Sequence, residues 1–278
     1  MTTFRFRERL SPGTFRLTLL GTGTSHGVPM LGCRCEVCQS NNPHNQRLRS
    51  GVLLESDQGS IVIDTSADLR TQLLREHVEH IDAALFTHIH ADHILGLDDL
   101  RIFSLRQEHK LPLYGEPNVG QHLQSVFDYA FEQPSDHEHK GSRPRFAWHN
   151  ISPYKPFHLL GLQIHPLRVE HGRMPILGYR IGPVAFCTDV SHLPTQTMNE
   201  LQNLEVLILG ALRYRPHPTH LTITQAKQLA AQLQPQQCYL THFCHDIDHQ
   251  QLSEQLPAGI APAYDGLSLT FSCEASGS

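Results

Sequence analysis

The sequence predicts a single layered α/β domain over residues 1–278. Strand patterns run first as an antiparallel meander and later alternate with helical patterns, which is typical of sheets covered by helices. No repeat or linker-like stretch divides the chain. The apolar fraction of 39% allows a buried core and argues against global disorder.

In the first half, runs of leucine, isoleucine and valine that end at glycine or at short polar turns predict strands. These strands are expected over 15–23, over 50–66 as a pair joined by a turn, over 81–93 and over 111–117. Leucines at helical spacing predict helices over 67–77, 94–105 and 119–131. The polar stretch 132–150 is expected to be an irregular surface insertion, either a solvated loop or a lid over a site.

In the second half, strand patterns alternate with one clear helix. Strands are expected over 157–169, 177–182, 183–189, 204–212 and 237–243. A helix is expected over 222–233, and the last apolar stretch, 263–272, is expected to close the chain as a hairpin.

Composition excludes several classes of function. A net charge of −5 and a pI near 6.5 argue against non-specific binding to nucleic acid, which needs a broad basic face. No apolar run approaches the roughly 18 residues that span a bilayer, so no membrane contact is expected. The charged N-terminal stretch lacks the apolar segment of a secretory signal, so a cytoplasmic location is expected.

Three of the seven cysteines crowd into one short segment, Cys33, Cys35 and Cys38, with CxCxxC spacing. In a reducing compartment this crowding favours a metal site over disulfides, although a redox role is an alternative. Three thiolates and one imidazole make a closed tetrahedral zinc site, which is structural. His245 is the expected fourth ligand, and Cys244 is its rival.

A second cluster contains His88, His90, Asp92 and His93, at spacings of two, two and one. In a loop after a strand, this spacing lets alternate side chains converge on one point. Imidazole nitrogen and carboxylate oxygen suit zinc, manganese or iron. A histidine pair alone would more often be polar surface, but four ligand-type side chains in six residues argue for a metal.

Residues 87–93, THIHADH, match the HxHxDH signature of the metallo-β-lactamase superfamily, and the chain resembles that superfamily over most of its length. The other similar segments occur in the family order, at 19–29, 61–70, 169–172, 186–190 and 240–243. This resemblance implies a four-layer αββα sandwich with metals at one edge, between the two sheets.

The resemblance also implies a dinuclear site of two divalent metals, Mn²⁺ or Zn²⁺, with iron as an alternative. The implied ligands of the first metal are His88, His90 and His171, and those of the second are Asp92, His93 and His242. Asp189 would bridge the two metals, and Asp64 would accept the other N–H of a ligand imidazole. Asp92 is expected to be a catalytic residue as well as a ligand.

The cysteine triad and His245, three residues after His242, resemble a narrower group, the phosphoribosyl cyclic phosphate phosphodiesterases of phosphonate breakdown. Residues 264–269, YDGLSL, are similar to that group too. This resemblance implies hydrolysis of a small cyclic phosphate, a pentose cyclic phosphate or a cyclic nucleotide. It also implies one structural Zn²⁺ in addition to the catalytic pair, and a homodimer as in relatives.

In the same group, a histidine at the position of His220 is thought to protonate the leaving oxygen. Such proton transfer typically contributes ~10²–10⁴ in rate. The alternative is that His220 only decorates the start of the helix near Thr222, and His217 is a second candidate for the acid. Arg213 or Arg215 could contact a phosphate, as guanidinium groups do well, or could be solvated.

Two other functions remain open at this point. A tRNA 3′-processing endonuclease shares the HxHxDH motif, but the acidic charge balance, the lack of a basic arm and the cysteine triad argue against it. A non-catalytic metabolite-binding relative would have lost ligands, whereas this sequence retains the whole set. The motif alone also suits hydrolysis of a thioester or a lactone.

Overall fold

The computed structural model describes residues 8, 10–107, 109–131 and 143–272. Within them, two seven-stranded mixed sheets stack face to face, and helices cover both outer faces. This is the αββα sandwich predicted above.

The first sheet and its helices come from the N-terminal half, apart from the last strand of the chain. The elements of this half are β1 (Thr14–Gly21), β2 (Gly51–Ser56), β3 (Gly59–Ile63), α1 (Leu69–Arg75), β4 (Ala83–Leu85), α2 (Ala91–Ile94), α3 (Arg101–Arg106), β5 (Leu111–Gly115), α4 (Pro117–Val126), α5 (Asp128–Phe131) and β6 (Phe146–Asn150). The strands of this sheet lie in the order β1-β2-β3-β4-β5-β6, and the last strand of the chain pairs with the outer edge of β1. Short 3₁₀ helices lie at Pro43–Asn45 and Leu97–Leu100.

The second sheet is built from the C-terminal half, in the order β13-β12-β11-β10-β9-β8-β7. The elements of this half are β7 (Phe157–Leu159), β8 (Leu162–His171), β9 (Met174–Ile181), β10 (Val184–Cys187), α6 (Thr195–Glu200), β11 (Val206–Gly210), α7 (Ile223–Leu233), β12 (Gln237–Thr241), α8 (His249–Gln255), β13 (Ile260–Pro262) and β14 (Ser268–Ser272). The last of these, β14, pairs with β1 in the first sheet.

The central strands are apolar without interruption because both of their faces are covered. All five residues of β11 are buried, and this strand pairs in parallel with β10 and β12. One hydrophobic cluster fills the space between the sheets, and two others pack the helices onto the outer faces. Helix α7 begins at a capping box in which Thr222 and Gln225 satisfy each other's backbone N–H groups.

Several expectations were wrong in detail. Residues 263–272 are not a hairpin, because they contain one strand, β14, which pairs with β1. Residues 157–169 turn at Leu160–Gly161, so they form β7 and the start of β8 rather than one strand. Residues 146–150 are not irregular: they form the edge strand β6, where Phe146 is buried and Trp148 packs against α4. The stretch 132–142 lies outside the described residues.

Helices α6 and α8 have no counterpart among the predicted elements, because both are short and largely polar. Across the described residues, no helix is long and apolar enough to cross a membrane.

Candidate metal centre

Three predicted site residues follow strands that end at the same edge of the sandwich. Asp64 follows β3, Asp189 follows β10 by two residues, and His242 follows β12. All three have left-handed backbones, with φ of 63°, 54° and 65°. Non-glycine residues pay roughly 1–3 kcal/mol for such sparsely populated conformations, which cluster at functional sites. The left-handed backbone at each strand end therefore directs the side chain towards the site.

The first ligand group consists of His88, His90 and His171, whose ligating atoms lie within 4.8 Å of one another. His88 Nε2 and His90 Nδ1 are 3.0 Å apart. His171 ends β8, and its Nδ1 lies 2.8 Å from the carbonyl oxygen of Thr219. That carbonyl can only accept, so Nδ1 carries the proton and Nε2 is left to bind a metal.

The second ligand group includes His93, which Asp64 orients. Asp64 Oδ2 lies 2.7 Å from His93 Nδ1, and both side chains are fully buried. His93 Nε2 makes no hydrogen bond, although Asp92 Oδ2 and Asp189 Oδ2 each lie 3.3 Å away. A buried nitrogen that faces two carboxylates without bonding to either fits ligands arranged around a common cation.

Asp189 lies between the two ligand groups. Its Oδ2 faces His93 and its Oδ1 lies 3.3 Å from His242 Nε2. Asp189 also groups with His171 and His220 within 4.8 Å. The residues predicted to be ligands are therefore brought together, and Asp189 lies close to members of both ligand groups.

The electrostatics of the cluster favour cations. Burial would raise the pKa of Asp189, but His242 and His93 outweigh burial and hold that pKa well below its usual value. Burial lowers the pKa of His93, yet the carboxylates of Asp189, Asp64 and Asp92 hold it well above the ordinary value. Ionised carboxylates buried among imidazoles are the charge pattern expected of a site for divalent metals.

His220 lies at the outer side of this cluster. Its ring centroid is 4.6 Å from that of His171 and 5.1 Å from that of His242, and its Nδ1 is 3.9 Å from Asp189 Oδ1. Burial, followed by the neighbouring His242, lowers the pKa of His220 to about 3. The free side chain is therefore a neutral imidazole at neutral pH.

The other candidates on this loop have different contacts. His217 lies 5.0 Å from His220 between ring centroids, and its Nδ1 accepts a hydrogen bond from the backbone N–H of Thr219. Arg213 donates to the carbonyl oxygens of Arg215 and Pro216, so it pins its own loop. Arg215 is exposed and pairs with Asp246.

The cysteine cluster forms a separate site. Cys33, Cys35, Cys38 and His245 place their ligating atoms within 4.8 Å of one another. His245 Nδ1 lies 3.3 Å from Cys33 Sγ and 3.4 Å from Cys35 Sγ. The hydrogen bond from His245 outweighs burial and lowers the pKa of Cys35 to about 6, which favours a thiolate.

Cys244 does not join this cluster. Its Sγ instead accepts a hydrogen bond from the backbone N–H of Asp246. The geometry therefore favours His245 over Cys244 as the fourth ligand.

Several supporting contacts have no motif in the sequence. Thr87 donates its backbone N–H and its hydroxyl to the two oxygens of Asp64. Thr188 donates its hydroxyl to Asp189. The only sequence signal is position, since both threonines directly precede a predicted ligand.

The fold and the histidine–aspartate cluster define a metallo-β-lactamase-fold protein. The sequence profile of the beta-lactamase superfamily domain matches residues 60–243. The crystal structure of a new diphosphatase from the PhnP family is 41% identical to this chain, with a TM-score of 0.86, over 93% of this chain and 98% of that one. The chain therefore belongs to the PhnP family of this metallo-hydrolase superfamily.

Two further relatives add context. A protein of Porphyromonas gingivalis named octanoyltransferase is 40% identical over 255 residues, which is 91% of this chain. The chain spans only about half, 51%, of that relative's length. Zn²⁺-bound PqqB from Methylobacterium extorquens shares the fold, with a TM-score of 0.74 at 18% identity over 91% of this chain and 99% of that one.

Proposed function

We propose that this chain is a metal-dependent phosphodiesterase that hydrolyses a small cyclic phosphate, such as a phosphoribosyl 1,2-cyclic phosphate or a cyclic nucleotide. The observation that carries the proposal is the position of Asp189, with one oxygen facing His93 and the other facing His242. Such a carboxylate suits a bridge between two divalent metals. When bound, a metal pair supplies an activated water at neutral pH and stabilises the charge of the phosphoryl group.

Seven side chains would bind the two metals, and two further groups would orient two of those side chains. His88, His90 and His171 would bind one metal, and Asp92, His93 and His242 the other, with Asp189 shared. Asp64 and the carbonyl of Thr219 accept hydrogen bonds from Nδ1 of His93 and His171, which leaves Nε2 of each ring as the nitrogen that would bind a metal. Zinc, manganese and iron all suit this nitrogen–oxygen donor set.

His220 would deliver a proton to the departing sugar oxygen. Its depressed pKa means that the free site holds it neutral, so the protonated acid must form in the presence of substrate. A phosphate anion beside the ring favours the imidazolium through charge attraction. Proton donation matters most for an alkoxide leaving group, which is a poor leaving group without it.

The cysteine cluster would hold a structural zinc. Its four ligands leave no open position for a substrate. His245 and His242 are three residues apart in the chain, so a zinc there would stiffen the segment that carries a catalytic ligand. Clustered cysteines that are not disulfide-bonded are typical of a reducing compartment, which supports the expected cytoplasmic location.

Hydrolysis of a diphosphate is the second candidate, since the 41% identical relative is titled a diphosphatase. The same metal pair can clamp a P–O–P linkage, and only the leaving group differs. The Porphyromonas gingivalis protein that is named octanoyltransferase is about twice as long as this chain. Cleavage of an octanoyl thioester is therefore a weaker candidate, and an octanoyl thioester serves as a competing substrate in the test. The net charge of −5 disfavours a tRNA substrate.

A substrate panel tests the proposal. Purified protein, loaded with Mn²⁺ or Zn²⁺, would be assayed with cyclic nucleotides, ribose 1,2-cyclic phosphate, a nucleoside diphosphate sugar, precursor tRNA and an octanoyl thioester. The expected result is turnover of a cyclic phosphate with kcat/KM at least ~100-fold above the other classes, and its loss in Asp189→Asn. Preferential turnover of the diphosphate would select the second candidate, and no turnover of any ester would favour a non-catalytic binding protein.

A further inference from the structure

Thr24 lies in the segment 19–29, where the sequence assigned it no role, and it contacts the candidate metal centre. Thr24 follows β1, is only 6% exposed, and places its Oγ1 3.3 Å from His242 Nε2. Among the described residues, that nitrogen is the only hydrogen-bond partner of the Thr24 hydroxyl. His242 Nε2 is the same atom that faces Asp189, so it is the metal-facing nitrogen of His242.

The backbone around Thr24 is held from several sides. The N–H of Thr24 donates to the carbonyl of Phe243 at 3.0 Å, and its own carbonyl accepts from Gly27 N at 2.8 Å. Gly27 has a φ of +64°, so it completes a tight turn that other residues would strain. Gly23 is packed so closely that an added Cβ would lie 2.8 Å from the carbonyl oxygen of Arg47. These contacts fix the hydroxyl relative to His242.

Metal binding would remove the hydroxyl's present partner. A ligand nitrogen uses its lone pair on the metal and can no longer accept a hydrogen bond from Thr24. The hydroxyl would then be a buried donor beside the metal, and a buried donor is costly unless it finds another acceptor. A substrate bound at the metals would place phosphoryl oxygens beside Thr24, and these oxygens can accept its hydrogen bond.

We propose that Thr24 is a substrate-binding residue whose hydroxyl donates a hydrogen bond to a phosphoryl oxygen of the substrate. This inference rests on the proposed phosphodiesterase function and adds a binding contact to it. The neighbouring Ser25 is exposed, and its carbonyl is held by Arg49, so it does not offer the same buried donor.

The test compares Thr24→Val, which removes the hydroxyl at nearly constant volume, with Thr24→Ser, which keeps it. Thr241→Val is the matched control, because Thr241 precedes His242 and its buried hydroxyl has no hydrogen-bond partner in the described structure. Each protein would be measured for metal content, for binding of inorganic phosphate by calorimetry, and for kcat and KM on the best cyclic phosphate.

The expected result is that Thr24→Val keeps its metals but binds phosphate about tenfold or more weakly, as for loss of a hydrogen bond to a charged group. Its kcat/KM should fall by a similar factor, while Thr24→Ser and Thr241→Val stay within about twofold of the wild type, as expected when no such hydrogen bond is lost.

Two results would overturn the inference alone: unchanged phosphate binding in Thr24→Val, or loss of a metal from that variant, which would make the hydroxyl a support for His242. If the wild-type, metal-loaded protein neither binds phosphate nor hydrolyses any phosphate ester, the proposed function fails and the inference fails with it.

Discussion

The two clusters of candidate metal ligands differ in burial, in side-chain chemistry and in the way the chain builds them. In the histidine–aspartate cluster, His93 and Asp189 are buried almost completely, and the side chains come from strand ends of both sheets. In the cysteine cluster, Cys33 and Cys35 are half-buried, and three of the four ligands come from one short loop. The first has more ligands than one cation needs, whereas the second has the four of a closed site.

Under the proposed function, this difference places the chemistry in the histidine–aspartate cluster and a structural role in the cysteine cluster. A metal site with carboxylate ligands and an open coordination position can activate water and bind an anion. A closed thiolate site has no open position and only joins segments of the chain. The joined segments matter, since residues 242–245 contribute one ligand to each cluster. Substitutions should therefore separate an effect on catalysis from an effect on stability.

The largest effect is expected for Asp189→Asn. Loss of the shared carboxylate removes a negative charge that faces both His93 and His242. Substitution of a residue that only supports a metal ligand typically lowers metal affinity or activity by ~10–100-fold. Substitution of a shared ligand should therefore lower kcat/KM by more than that factor. Kinetics together with metal analysis check this, and a variant with full activity and full metal content would contradict the bridging role.

The next effect is expected for His220→Ala, and it should depend on the leaving group. Turnover of a cyclic phosphate with a sugar leaving group should fall by ~10²–10⁴, because an alkoxide needs a proton. Turnover of a nitrophenyl phosphodiester should fall far less, because nitrophenolate leaves without a proton. His217→Ala is the matched control and should show a smaller loss with no such dependence. Equal losses on both substrates would remove the proton-donor role from His220.

A smaller effect on activity, but a clear one on stability, is expected for Cys35→Ser. The variant should bind one metal fewer per chain and unfold at a lower temperature, since a structural zinc contributes folding free energy. Cys244→Ser is the matched control, because its thiol lies outside the cluster. Metal analysis and thermal unfolding measure both. If Cys244→Ser loses the metal instead, Cys244 rather than His245 completes the site.

The sequence identified the side chains that cluster, and one of their supports, Asp64, but not the other supports. HxHxDH and CxCxxC carry fixed spacings, so residues such as His88 and Cys33 could be found one by one, and family order added Asp189 and His242. The carbonyl of Thr219 and the hydroxyl of Thr24 leave no such pattern, because any residue has a carbonyl and threonine is common. Arg213, a candidate phosphate contact, instead donates to its own loop, which only the folded backbone reveals.

The last strands show the same limit for the fold. The sequence pattern predicts a hairpin over residues 263–272, but they contain only β14, while the preceding short strand, β13, belongs to the other sheet. Local pattern cannot distinguish a hairpin from a crossover between stacked sheets, because both need only two short strands and a turn.

The smallest predicted effect concerns the pH dependence of stability and involves the first residue of α8. His249 begins α8, and its backbone N–H donates to Asn45. Burial, followed by His44 and Arg47, lowers the pKa of His249 to about 4. The folded protein therefore keeps His249 neutral, while the unfolded chain protonates it near its ordinary pKa of about 6.5. Because the unfolded state binds the extra proton, this contribution to stability is complete above about pH 6.5 and is lost as the pH falls towards about 4.

Replacing His249 with glutamine should remove that part of the pH dependence. Between pH 7.5 and pH 5, the wild type should lose on the order of 1 kcal/mol more unfolding free energy than His249→Gln, after allowance for partial exposure of the ring. Urea unfolding at the two pH values measures the difference, and the metal ligands titrate equally in both proteins and cancel. Parallel losses would mean that the surroundings of His249 do not exclude its charged form, and that acid destabilisation comes from the metal clusters alone.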